Sequence, residues 1–243
     1  MHEAHSLMIS DLHLNPREPW LMEQFVHFLN TRASRCEQLY ILGDLFASWL
    51  GKDINIEFLN TIRSNLQAIK AKGTEIYFIR GNRDFLLTDA DIQALHMQPL
   101  KDPCVVELYG VRWLLSHGDR LCTLDRAYQR YRKVVNIKLL QCVFLKMPQA
   151  LRFHIATRIH QRNPHKTQAL NLNYMLADID PHTLLQELNA WKVPNIVHGH
   201  THRLGLHWHS SYFRIALGDW RQDYFNYLYL AKEKIMLQSH LWP

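Results

Sequence analysis

Five short apolar runs in this 243-residue chain each end in polar residues of the same few types, and that recurrence constrains the fold more than any other feature. His5-Ser6-Leu7-Met8-Ile9-Ser10 runs into Asp11-Leu12-His13, and Leu39-Tyr40-Ile41-Leu42 into Gly43-Asp44. Ile76-Tyr77-Phe78-Ile79 leads to Gly81-Asn82-Arg83-Asp84, and Arg112-Trp113-Leu114-Leu115 to His117-Gly118-Asp119. The fifth run, Asn195-Ile196-Val197, meets His198-Gly199-His200. Short apolar runs bounded by glycine read as buried strands. Helical patterns lie between them, from Pro19 to Asn30 and from Asp53 to Lys72, with Gly73 placed to stop the second. Strands alternating with helices predict an α/β fold, with function gathered at the carboxyl ends of the strands.

The chemistry at those ends is of one kind. Asp11, His13, Asp44, Asn82, His117, His200 and His202 are all carboxylate, imidazole or amide oxygen. Hard-to-borderline ions such as Mn²⁺, Fe²⁺ and Zn²⁺ take such donors, whereas a thiolate site would look different. Any one of the seven alone is more simply a capping aspartate or a satisfied core histidine. Seven in order along one predicted sheet edge point to metal. With one aspartate bridging, they fill two sites and leave positions for water and substrate. The stretch Val197-His198-Gly199-His200-Thr201-His202 poses a narrower question. Alternate side chains of an extended backbone share a face, so all three imidazoles are candidates to converge.

In this order, DLH, GD, GNRD, HGD and GHTH resemble the signature of the calcineurin-like metallophosphoesterases, from about residue 7 to 220. The resemblance implies a β-sandwich flanked by helices with a helical cap insertion. It assigns residues 1–120 and 171–243 to the core and 121–170 to the cap. It implies one ion held by Asp11, His13, Asp44 and His202, and another held by Asp44, Asn82, His117 and His200. His198 falls outside that set. Two divalent ions about 3.5–4 Å apart clamp a phosphoryl group and acidify water for in-line attack. The reaction class is phosphoester or phosphoanhydride hydrolysis; the substrate is not defined by it.

Composition sets the remaining bounds. The chain is 47% hydrophobic and 21% charged, an ordinary globular balance for one domain or one domain with an insertion. It holds no apolar stretch of spanning length. The N-terminal residues lack the layout of a secretory signal, and the four cysteines form no CxxC pair, so reduced cytosolic thiols are expected. The net charge of +6 is concentrated: residues 126–177 contain ten Lys or Arg and no Asp or Glu, leaving 18 basic against 22 acidic residues elsewhere. That window reads as helical, with Val135, Leu139, Leu140, Val143, Phe144 and Met147 at helical spacing before Pro148, then Leu151, Ile155 and Ile159. Cations beside an apolar stripe suit an amphiphile with an anionic head, or a helix on anionic lipid. A plainer reading is a helix pair packed on the core with a solvated basic face, but this leaves the absence of acids unexplained.

Arg83 narrows the substrate. Most of the superfamily carries His in its place, able to protonate a leaving oxygen. Arginine stays charged and cannot act as an acid, but its planar fork neutralises phosphate oxygens. A leaving group that needs no proton is itself a phosphate, which favours a diphosphate over a phosphoprotein or nucleic acid. DLHL, GDLF, Trp49 with Gly51, GNRDF and HGD-x-L-C resemble, within the superfamily, the UDP-2,3-diacylglucosamine pyrophosphatase family of lipid A biosynthesis. The resemblance implies release of UMP and 2,3-diacylglucosamine 1-phosphate from an amphiphilic UDP-lipid, with two Mn²⁺ ions. It implies peripheral binding to an anionic membrane, on the cytoplasmic face of the inner membrane. Asn82, Arg83 and His117 would be catalytic. Asn82, Arg83, Asp125, Tyr128, Asn163, Lys166, Thr167 and His200 would contact substrate. A monomer is the default expectation. The alternatives are a two-metal hydrolase of a soluble nucleotide diphosphate or phosphodiester, and a non-catalytic membrane-associated scaffold. Three positions depart from the family: Ala47 replaces an acid, Lys52 stands in a GDD-like run, and Leu170 replaces a lysine.

Overall fold

A computed structural model of the chain describes residues 3–52, 55–161 and 178–242. Two sheets face one another. The first has the order β11-β10-β1-β2-β3-β4 and the second β5-β6-β7-β9-β8. The first comprises β1 (His5–Ile9), β2 (Gln38–Leu42), β3 (Glu75–Ile79), β4 (Gln98–Leu100), β10 (Tyr224–Ala231) and β11 (Lys234–Leu241). The second comprises β5 (Cys104–Leu108), β6 (Val111–Ser116), β7 (Asn195–His198), β8 (Gly205–Trp208) and β9 (Phe213–Ala216). Strands β1 to β4 are parallel, as are β6, β7 and β9, so their carboxyl ends share a direction within each sheet.

The period of two along each strand builds a four-layer sandwich. On β1 and β2, Leu7, Ile9, Leu39 and Ile41 face α1 (Pro19–Thr31) and α2 (Ile56–Ala71), meeting Phe25, Phe28, Ile62 and Leu66. Their neighbours Met8, Tyr40 and Leu42 point the other way, into the space between the sheets, against Trp113, Leu115, Val197 and Ile215. On the far side, Leu114 and Ile196 pack on Leu184 and Leu188 of α7 (Pro181–Trp191). Strands covered on both faces need continuous apolar runs, and these five runs are just that.

Local signals set the helix ends. Asn55 caps α2 by accepting the Phe58 N–H, and Gly73 follows its end at φ +103°. A short helix, α3 (Asp89–Ala94), begins with a capping box between Thr88 and Asp91.

The basic window departs from the sequence expectation in one respect. It divides into α4 (Arg126–Val135), α5 (Lys138–Lys146) and α6 (Gln149–Gln161), so the pattern up to Met147 is not one helix. Asn136 breaks it by turning its side-chain amide back onto the Arg132 carbonyl at 2.9 Å, while Ile137 is extended. Asparagine's short amide competes with the helical ladder in this way. These helices lie between β6 and β7 in the chain. The five runs correspond to β1, β2, β3, β6 and β7; β4, β5 and β8 to β11 lie outside them.

Candidate metal centre

The expected donors come from the ends of β1, β2, β3, β6 and β7, and hence from two facing sheets rather than from one sheet edge. Turns at these ends are abrupt. Asp11, His13, Asp44, His200 and His202 all have φ between 53° and 65°, left-handed values that Asp and His adopt more readily than most residues. Glycines let the loops close on one another. A Cβ on Gly81 would lie 2.2 Å from Asp44 Oδ1, and one on Gly199 would lie 1.9 Å from Ser10 Oγ and 2.5 Å from Asp11 Oδ2. The glycines directly before Asp44, Asn82 and His200 are therefore a demand for space.

Two groups of donors result. In one, atoms of Asp11, His13 and His202 lie within 4.8 Å of one another, as do those of Asp11, Asp44 and His117 in a second set. The His13 and His202 Nε2 atoms are 3.4 Å apart, and His202 Nε2 is 3.3 Å from Asp11 Oδ1. In the other group, Asn82 Oδ1 faces His117 Nε2 at 2.8 Å and His200 Nδ1 at 2.7 Å. Asp44 sits between, with Oδ1 3.7 Å from His117 Nε2 and Oδ2 3.9 Å from His13 Nδ1.

This arrangement fits a cation. Asp11 Oδ1 is fully buried and accepts no hydrogen bond of sound geometry, although Ser10 Oγ and the His200 N–H satisfy Oδ2. His117 donates Nδ1–H to the Leu42 carbonyl at 2.9 Å, which turns Nε2 toward the Asn82 and Asp44 oxygens. Burial lifts the Asp44 carboxyl to about 8. For His117 burial opposes the charge, yet the carboxylates of Asp44 and Asp11 carry the imidazole up to about 9. A metal ion and protons compete for these same converging acceptors. Burial keeps His13 and His200 near 4 and therefore neutral, as ligation requires.

The profile of the calcineurin-like phosphoesterases matches residues 5–212, which take in all seven donors. The chain belongs to that family. A protein of Histophilus somni (strain 2336) named UDP-2,3-diacylglucosamine hydrolase is 41% identical over 216 residues, 88% of this chain and 92% of its own. Proteins of the same name from Haemophilus ducreyi and Neisseria meningitidis serogroup B are each 38% identical, over 88% and 89% of this chain and 91% and 90% of theirs. Metal-dependent phosphoesterase chemistry is thus supported by both family and donor set.

Other residues of this phosphoesterase behave in several ways. His198 does not converge with the other two imidazoles, because the strand ends on it and the chain then turns. It is buried, with Nδ1 on the Gly199 carbonyl and Nε2 accepting from Arg214 Nε at 2.9 Å. Arg83 is half-buried, its N–H held by Asp44 Oδ1 at 2.8 Å and its carbonyl by the Trp49 N–H. Its charge reaches His13 and Tyr131. Asp125 caps α4 by accepting the Tyr128 N–H, and the Tyr128 ring stands 5.7 Å from that of His200. Asn163, Lys166, Thr167 and Leu170 lie outside the described residues.

Several supporting residues escaped the sequence reading. Asp84 accepts the Gly81 and Leu45 N–H groups and so ties two ligand loops together. Asp219 stands 3.5 Å behind His202 Nδ1, an orienting carboxylate of the sort that fixes a ligating imidazole. Asp119, buried at 4% exposure, accepts from Tyr128 and Arg132. Asp84 and Asp119 close the GNRD and HGD motifs, and that position was the available signal.

Proposed function

We propose that the protein hydrolyses the diphosphate of UDP-2,3-diacylglucosamine to UMP and 2,3-diacylglucosamine 1-phosphate, as a step of lipid A biosynthesis. The observation that carries this reading is the cluster of seven converging donors beside basic, apolar helices, in a chain with relatives of that name. Asp11, His13, Asp44 and His202 would hold one divalent ion, and Asp44, Asn82, His117 and His200 the other. Mn²⁺ ions bound there would supply Lewis acidity and an acidified water. The chain's own residues do the rest. Asn82 and His117 fix the second site, Asn82 also faces the diphosphate, and Arg83 neutralises charge on the leaving phosphate without giving up a proton.

Helices α4 to α6 would receive the lipid. Leu139 is 71% exposed, and Leu140, Val143, Leu151 and Phe153 are exposed near it in sequence, beside Lys138, Lys146 and Arg158. Soluble surfaces rarely keep so many large apolar groups together without a partner. Acyl chains and an anionic membrane surface match this combination. Tyr128 and Asp125, with Asn163, Lys166 and Thr167, would meet the headgroup. Among the described residues no helix is long and apolar enough to cross a membrane, which is compatible with a peripheral position on the cytoplasmic face of the inner membrane. Every candidate ligand comes from one chain, so a monomer suffices.

The test is UMP release from UDP-2,3-diacylglucosamine in detergent with added Mn²⁺, beside UDP-glucose and the Asn82→Ala variant. Turnover of the acylated substrate alone, abolished in the variant, is expected. Cleavage of UDP-glucose or a simple phosphodiester without the acylated substrate would assign the site to a soluble compound.

A further inference from the structure

Helix α4 spends one face on the end of the strand that carries His117. Tyr128 Oη and Arg132 Nε, one helical turn apart, both donate to Asp119 Oδ2, at 2.7 Å and 2.6 Å. Gln129 Nε2, between them, donates to the Asp119 and Cys122 carbonyls at 2.8 Å and 3.1 Å. The guanidinium also reaches a second acid, with Arg132 Nη2 3.8 Å from Asp102 Oδ2. Asp102 Oδ1 in turn accepts from Ser116 Oγ at 2.6 Å and from the His117 N–H at 3.3 Å. His117 is thus flanked by two largely buried carboxylates that share one arginine. On the same helix, the Tyr128 ring lies against His200, whose ring is 5.1 Å from that of His117.

We propose that Arg132 is a positioning residue for the Asn82–His117–His200 half of the metal centre, acting through Asp102 and Asp119, with Tyr128 backing His200. Two largely buried carboxylates without a cation between them repel one another and turn apart toward water. If Asp102 turned, the His117 N–H would lose its acceptor; if Asp119 turned, the turn after His117 would lose its tie to α4. His117 Nε2 and His200 Nδ1 meet Asn82 Oδ1 within 2.8 Å, and a site so tight loses affinity when its donors move by a fraction of an ångström. Groups that orient metal ligands in this way typically contribute about 10–100-fold in affinity or activity. A helix of the insertion is on this account a structural member of the metal centre. The inference rests on the two-metal reading but on no particular substrate.

The experiment is calorimetric titration of the chelator-stripped, full-length protein with Mn²⁺, comparing wild type with Arg132→Met, Arg132→Lys and Tyr128→Phe. Hydrolysis of bis(p-nitrophenyl) phosphate, which needs no lipid site, is measured over the same Mn²⁺ range. Arg132→Met is expected to weaken the second equivalent of Mn²⁺ by about tenfold or more, and Arg132→Lys to recover part of that loss. The lost turnover of Arg132→Met should return as Mn²⁺ is raised, which a general packing defect would not allow. An Mn²⁺ affinity within twofold of wild type in Arg132→Met overturns the proposal. If that variant fails to fold, Tyr128→Phe decides: a threefold or larger loss of affinity supports the proposal, and an unchanged affinity overturns it. Wild-type protein that binds no Mn²⁺ would remove the two-metal reading and this proposal together, whereas wild-type binding with unaltered variants removes only the latter.

Discussion

Asp44 is 2% exposed, faces His117 Nε2 at 3.7 Å, and is held by burial well above the usual carboxylate range. A charge in such a place is unfavourable unless a cation offsets it. Asp44→Asn keeps the shape and removes the charge, so after chelation the variant should melt higher than wild type, by about 2–4 °C per kcal/mol relieved. In saturating Mn²⁺ the order should reverse and hydrolysis should be lost. Scanning calorimetry under both conditions checks this, and a variant that melts lower in each would show that Asp44 is chiefly structural. At this scale the ligands were legible because four of the five motifs couple a glycine to a donor, and DLH pairs two donors directly after an apolar run. Their supports were not. Asp119 reads as a turn residue until the fold brings Arg132, 13 positions along, to its carboxylate, and nothing in local sequence links Asp219 to His202.

Strand identity was legible for the same reason that the core is tight: both faces of β1, β2, β6 and β7 are covered, so their sequences are unbroken apolar runs. The alternation that made three imidazoles candidates to converge after β7 stops where φ turns positive at His200. His198 instead joins two strands, since its Nε2 accepts from Arg214 of β9. Burial first, and then the Arg214 charge, hold its imidazole down at about 3, against 6.5 when exposed. The unfolded chain therefore binds one more proton between those values, and stability present above pH 6.5 falls as pH drops through that window, by at most about 1.4 kcal/mol per pH unit. His198→Asn should shift the urea midpoint less between pH 6.5 and pH 4.5 than wild type does. An acid limb identical to wild type would mean that other groups carry it. For α5 and α6, Leu139→Asp with Val143→Asp should abolish sedimentation with anionic vesicles and raise KM for the acylated substrate about tenfold or more, given about 2.5–3.5 kcal/mol per charge placed in hydrocarbon. Turnover of bis(p-nitrophenyl) phosphate should stay within twofold. An equal loss on both substrates would place these side chains in the fold rather than at a lipid.

Across the whole molecule, the centre lies where the two sheets and the helices between β6 and β7 meet, so metal binding should be felt globally. A ligand that binds only the folded chain adds RT ln(1 + [L]/Kd), about 2.7 kcal/mol at a hundredfold excess over Kd. Chelation should accordingly lower the thermal midpoint by about 5–10 °C, reversibly on returning Mn²⁺; an unchanged midpoint would mean that the donors hold no ion. The positive φ values at Asp11, His13, Asp44, His200 and His202 carry a further consequence. Left-handed backbone costs a side-chain-bearing residue about 1 kcal/mol that glycine escapes. Directed evolution for heat resistance, run in chelator, would therefore be rewarded for emptying these five positions. Its most robust descendants would keep the sandwich and lose the chemistry, and libraries built for stability should hold these residues invariant.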